Sequence, residues 1–272
     1  KVERIIMELD ILDALGEGWT LTPAGGITGE AYIASTGQSK LFLKRNSSPF
    51  LAILSADGIV PKLLWTKRIY SGDVISAQQF IEGDELEPEM MERPEVARLL
   101  GKIHDSKELL FMLQQLDQRP IEPDELLRQC RLYFQPEDLE NPDLVEHAMI
   151  YLEQNLEHVR TDEQVVCHSD LNHNNWLTGA DGQLYLNDWD DAIIADRAYD
   201  LGMMLYSYVD EAAWPEWFEH YGHPLTSDLK QRMHWYVVAQ AVLSLYWYED
   251  MRHPDVDDSY HFLEQLLEYS ND

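Results

Sequence analysis

The hydrophobic pattern of this 272-residue chain changes period once, near Gly83, and that change restricts the fold more than any composition figure does. Before it, runs at 19–23, 30–35, 40–44, 62–70 and 74–81 mix aromatic and β-branched residues, and Gly-containing punctuation such as Ser71-Gly72-Asp73 separates them. That is the signature of short antiparallel strands. One short helix fits near 50–57, and Ile5, Ile6, Leu9, Leu12 and Leu15 predict another ahead of Gly16. After Gly83 the apolar residues recur at helical spacing: Val96, Leu99 and Ile103, then residues 126–134, then Leu144, Ala148, Leu152 and Leu156. A single β interruption follows, in which Val165-Val166-Cys167 precedes a polar loop and two apolar runs flank an Asp181-Gly182 turn of the hairpin type. The expectation is an α+β chain in two parts: a small antiparallel β-rich part over 1–82, and a larger, mainly α part over 83–272 that carries the hairpin. The change near 83 reads as a hinge.

A chain of this length exceeds one ordinary core and falls short of three, which agrees with two parts. The net charge of −30 is unevenly spread: residues 1–83 hold 8 basic and 9 acidic side chains, residues 84–272 hold 12 and 41. Such a field repels phosphate backbones and anionic membrane surfaces, so nucleic acid is not expected as a partner. No apolar run approaches the roughly 18 residues that span a bilayer, and no secretory leader pattern opens the chain, so the cytoplasm is the expected location. Cys130 and Cys167 are the two cysteines, too few and too far apart for a disulfide framework, and reduced thiols are expected.

The segment that carries chemistry is His168-Ser169-Asp170-Leu171-Asn172-His173-Asn174-Asn175, followed after the hairpin by Asn187-Asp188-Trp189-Asp190. Its spacing resembles the H-x-D-x-x-x-x-N catalytic loop and downstream metal-binding Asp of protein kinases. Phosphoryl transfer needs the attacking hydroxyl, phosphorus and leaving oxygen in line, with a cation neutralising the phosphate oxygens. An Asp, an Asn five residues on and a second Asp at a strand end supply groups of that kind. The tail, Asp188-Trp189-Asp190 with Ala195-Asp196-Arg197-Ala198-Tyr199-Asp200-Leu201, and the helix end Leu100-Gly101-Lys102-Ile103-His104, resemble the aminoglycoside phosphotransferase and choline kinase family. Within it, Phe42-Leu43-Lys44-Arg45-Asn46 and residues 60–65 look closest to a small Gram-positive branch that includes a cell-cycle regulator. The likeness runs from about residue 19 to 205.

The resemblance implies a protein-kinase-like two-lobed fold, ATP and Mg²⁺ as cofactors, and a small-molecule hydroxyl as acceptor. It places Asp170 at the acceptor hydroxyl, Asn175 and Asp188 on the metal, and Lys44 over the ATP phosphates. Gly25, Gly26 and Gly29 would line the phosphates, and the backbone of Gln79 and Ile81 would meet the adenine. His168 and Asp200 would support the loop from beneath, while His173 and Asn174 face solvent or touch substrate. Kinases pair the strand lysine with a helix glutamate, yet no Glu lies between Lys44 and Glu82, and Asp57 is the nearest carboxylate to take that part. The branch points to a small sugar, ribose or 2-deoxyribose, and to a cell-division protein as partner; a choline or aminoglycoside acceptor is the alternative. Two other readings stay open: a kinase-like regulatory scaffold, and a metal hydrolase built on His168, Asp170, His173 and Asp188. The aromatic set Trp214, Trp217, Trp235, Tyr236, Tyr246, Trp247 and Tyr248 reads as helix packing, with a stacking or cation-binding pocket as its alternative.

Overall fold

The computed structural model describes residues 2–24 and 31–269, in two compact units, one holding residues up to 86 together with 173–190, the other 87–172 with 191 onward. In chain order the first unit contains α1 (Val2–Leu15), β1 (Thr20–Pro23), β2 (Ala31–Ser35), β3 (Lys40–Arg45), α2 (Phe50–Ala56), β4 (Leu63–Arg68), β5 (Val74–Gln79) and β6 (Gly83–Glu85). The second begins with α3 (Pro94–His104), α4 (Lys107–Gln115), α5 (Pro123–Tyr133), α6 (Pro142–Val159) and β7 (Val165–Cys167). The hairpin strands β8 (Trp176–Gly179) and β9 (Leu184–Leu186) belong to the first unit. After them β10 (Ile193–Ala195), α7 (Ala198–Tyr208), α8 (Trp214–Tyr221), α9 (Ser227–Met251) and α10 (Val256–Tyr269) complete the second.

In the first unit an antiparallel sheet of order β1-β2-β3-β5-β4 presents one face to a core of Ile11, Tyr32, Ala34, Leu43, Ile69, Ile75 and Ala77. Strand β2 shows the pleat, with Tyr32 and Ala34 turned inward, while β5 is covered over Ile75–Gln78. The segment from 83 is not a bare hinge: β6 pairs with β8, which pairs with β9, and the Leu86 N–H donates to the Trp176 carbonyl. The Leu186 N–H donates in turn to the Ile59 carbonyl. These backbone bonds, unsatisfied if the hairpin stood elsewhere, fasten 173–190 to the β-rich unit, whereas the sequence pattern had grouped it with the helices. Gly83 permits the pairing, since a Cβ there would stand 2.1 Å from the Thr178 carbonyl oxygen.

The second unit is built around α9, which buries Met233, Trp235, Tyr236, Val237, Val238, Val242 and Leu245 on successive turns. A helix apolar on nearly all sides is a central one. Helix α7 comes close against it, and a Cβ on Gly202 would lie 2.4 Å from the Met233 carbonyl oxygen. Most of the aromatic set packs here: Trp214, Trp217, Trp235 and Tyr236 are buried, and the indole N–H groups of Trp214 and Trp235 donate to the Val209 and Leu152 carbonyls. Trp247 stays exposed. Strands β7 and β10 pair antiparallel. No helix among the described residues is long and apolar enough to cross a membrane.

Candidate functional site

Lys44 is the last residue but one of β3, with its side chain 20% exposed, and its ammonium lies 2.7 Å from Asp190 Oδ2 and 3.1 Å from Asp188 Oδ1. Burial works against the charged lysine, but the hydrogen bond to Asp190 and the charge of Asp188 outweigh it, so its pKa lies above the ordinary value. It is a fixed cation. The two carboxylates flank Trp189, which is buried, donates its indole N–H to the Leu186 carbonyl at 2.7 Å and meets the Phe50 ring edge-on at 5.9 Å. Anchoring the middle residue turns its neighbours outward together. Asp188 takes up φ +61°, a left-handed backbone that costs a non-glycine residue about 1 kcal/mol or more and is concentrated at working sites.

Asp57 does not take the lysine. It forms the C-cap of α2, its N–H bonded to the Ile53 carbonyl, and α2 itself carries no acidic residue. Asn175 closes a short turn ahead of β8, and its carbonyl accepts the Asn187 N–H at 2.8 Å, which ties the turn to the residue before Asp188. Asp188 and Asn175 are thus oxygen donors of one unit, held by one hairpin. Gln79 ends β5 and donates its N–H to the Lys62 carbonyl. Among the described residues no hydrogen bond engages the half-buried Ile81 N–H. Gly25, Gly26 and Gly29 lie outside the described residues.

In the second unit the loop after β7 hangs from one buried carboxylate. Asp200, 2% exposed, accepts the His168 N–H at 2.8 Å on Oδ2 and the Ser169 N–H at 3.0 Å on Oδ1, and His104 Nε2 lies 3.2 Å away. His104 is oriented from behind by the Tyr221 hydroxyl, 2.7 Å from Nδ1. His168 is fully buried and its Nδ1 accepts the Asp170 N–H at 3.3 Å. Ser169 adopts φ +71° and donates its hydroxyl to the Asp191 carbonyl. The consequence is an exposed Asp170 on a loop whose two preceding residues are locked. His104, Cys167 and Asp200 converge closely enough to hold a metal, yet the Cys167 thiol bonds the Asp196 carbonyl and burial pushes its pKa well up, so it is a packed thiol and not a thiolate ligand. Beneath this, Arg232 bonds Asp196 at 2.6 Å and also pairs with Asp228, while Arg197 bonds Glu163 and the Tyr221 hydroxyl.

Asp170 lines a cavity of about 520 Å³ within the second unit. Its walls come from α7 through Tyr199, Met203 and Ser207, from α9 through Gln240, Ser244 and Tyr248, and from the approach to α10 through Asp255, Asp258, Ser259 and Phe262. Tyr248 is the member of the aromatic set that faces a site. The α9–α10 wall was invisible in the sequence, because serine, glutamine and aspartate on helices signal nothing by type; only the alternative reading of the aromatic set as a stacking or cation-binding pocket hinted at it, through Tyr248. Asp190 was equally unmarked as the lysine's partner.

A sequence model of the phosphotransferase enzyme family matches residues 20–236. Among solved structures, the choline kinase LicA from Streptococcus pneumoniae is similar at TM-score 0.72 and 20% identity, covering 98% of this chain and 99% of that one. A choline/ethanolamine kinase family protein from Mesorhizobium loti gives 0.69 at 16% identity, over 98% and 95%. The GDP complex of aminoglycoside 2'-phosphotransferase-IIIa gives 0.68 at 15%, over 99% of both. These likenesses show a kinase-like fold.

Proposed function

Because the chain belongs to the phosphotransferase enzyme family, we propose that it is an ATP-dependent small-molecule kinase acting in the cytoplasm. The observation that carries this reading is Asp170, presented by a backbone clamped on Asp200 to a polar, aromatic-walled cavity. A carboxylate so placed accepts the proton of an acceptor hydroxyl, and the locked loop keeps it aimed. In the other unit Lys44 supplies the fixed positive charge for ATP phosphates, and the Ile81 N–H with the Gln79 carbonyl supplies the edge for adenine. AMP and GDP complexes of the similar structures accord with a nucleotide there. Asp188 and Asn175 offer hard oxygen donors, and Asp188 is largely exposed, a donor set that fits Mg²⁺. When bound, Mg²⁺ would neutralise phosphate charge during transfer.

For the acceptor we favour a small neutral sugar, ribose or 2-deoxyribose, whose hydroxyls suit the Ser207, Ser244, Ser259 and Asp258 side chains around the cavity. Asp255 and Asp258 with Tyr248 and Phe262 favour a cationic acceptor of the choline or aminoglycoside kind as the second reading. ATP consumption with a panel of pentoses, choline and aminoglycosides decides between them. Asp170→Asn should abolish turnover on whichever acceptor is found while nucleotide affinity stays within about two-fold. Near wild-type turnover of that variant would remove the proposed mechanism.

A further inference from the structure

We propose that Asp190 is the positioning carboxylate of Lys44, doing from the metal-binding turn what a helix glutamate does in the kinase pattern; the inference rests on the kinase reading above. Three observations carry it. First, the usual source of the partner is absent: α2 holds no acidic residue, and Asp57, which follows it, is not among the partners of Lys44. Second, the lysine is nevertheless paired, and Asp190 at 2.7 Å is the shorter of its two bonds. Third, the pair is built and not incidental, because buried Trp189 pins the turn through the Leu186 carbonyl and the Phe50 ring, which places residues 188 and 190 on the lysine's side.

The two carboxylates then divide their work. With Mg²⁺ bound, Asp188 would serve as its carboxylate donor and would no longer be free to hold the ammonium. Asp190 is left as the group that holds Lys44 over the phosphates. It need touch neither substrate nor metal to matter, since a lysine with several rotatable bonds loses its aim when its strongest tether goes.

The test is a double-mutant cycle between Lys44→Met and Asp190→Asn, read in two ways: kcat/KM for ATP, and ADP affinity by calorimetry with the metal removed by EDTA. Asp190 is exposed and Lys44 mostly buried, so thermal melts verify that each variant folds. A charged hydrogen bond of this kind supports an expected loss of roughly 10- to 100-fold in kcat/KM for Asp190→Asn. On the Lys44→Met background the same change should alter kcat/KM and metal-free ADP affinity by less than about two-fold, and Asp190→Glu should recover part of the single-variant loss. Equal effects on both backgrounds would overturn the proposal by showing that Asp190 acts directly on phosphate or metal. Full activity of Asp190→Asn beside a crippled Lys44→Met would overturn it too, with the kinase reading intact. A wild-type protein that binds no nucleotide with or without Mg²⁺ would remove both.

Discussion

Replacing Asp200 by Asn tests whether one buried carboxylate sets the catalytic loop. The native group faces three donors: the His168 N–H, the Ser169 N–H and His104 Nε2. An amide of the same shape offers one acceptor oxygen and one NH₂, so at least one donor is left facing another donor in a site 2% exposed. An unsatisfied buried donor costs about 1–3 kcal/mol, and the loss of charge from the remaining bonds adds roughly 1–2 kcal/mol more. The sum, about 2–5 kcal/mol, is a large share of the roughly 5–15 kcal/mol that holds an ordinary domain together. At about 2 °C per kcal/mol for a chain of this size, calorimetry should show the melting temperature falling by roughly 4–10 °C. Below that temperature kcat should fall by about 100-fold, because Asp170 follows the two residues released, while KM for ATP stays nearly unchanged. A variant with wild-type melting and wild-type kcat would refute the clamp.

Asp188→Ala should lose the Mg²⁺-dependent part of nucleotide affinity and keep the metal-free part; calorimetry with and without EDTA separates the two. Gly202→Ala should destabilise by about 1–3 kcal/mol despite alanine's better helix propensity, because its Cβ would meet the Met233 carbonyl oxygen at 2.4 Å; a raised melting temperature would contradict the close crossing. His234 is buried, donates Nε2–H to the Leu266 carbonyl at 2.8 Å and accepts the Tyr151 hydroxyl proton at 2.6 Å. Burial lowers its pKa below the ordinary 6.5, so its contribution is complete above that value and lost as pH falls through the folded-state pKa. Melting temperature between pH 7 and 5 should therefore fall more steeply in wild type than in His234→Gln, and parallel curves would reject the assignment.

Much of this was readable beforehand because strands and hairpins declare themselves through β-branched and aromatic content and turn residues: 40–44 and 74–81 correspond to β3 and β5, and Asp181-Gly182 to the β8–β9 turn. Strand β6 escaped because Gly83-Asp84-Glu85 is exposed throughout and has no inward face to alternate. Strand β10 escaped because Ile193-Ile194-Ala195 is too short to display a period. The loop residues were legible as a spacing, since chemistry fixes their separation along the chain. The lysine's partner was not, because its place depends on a buried tryptophan turning two side chains the same way, and no linear pattern encodes that. The cavity wall was hidden for a similar reason: Gln240 and Asp258 come together only through the packing of α9 with α10.

The pairing of Lys44 with the turn that follows β9 also bears on control. Kinases whose lysine depends on a glutamate from a mobile helix own a switch, since swinging that helix outward breaks the pair and silences the enzyme. Here the partner carboxylates sit within the hairpin segment of the same compact unit, two residues apart, with a buried indole between them. Helix α2 reaches the pair only through the Phe50 ring against Trp189, so moving it would loosen the turn's packing but would carry no carboxylate away from the lysine. The lysine's pairing is therefore set by the fold of the hairpin segment, in which both carboxylates lie.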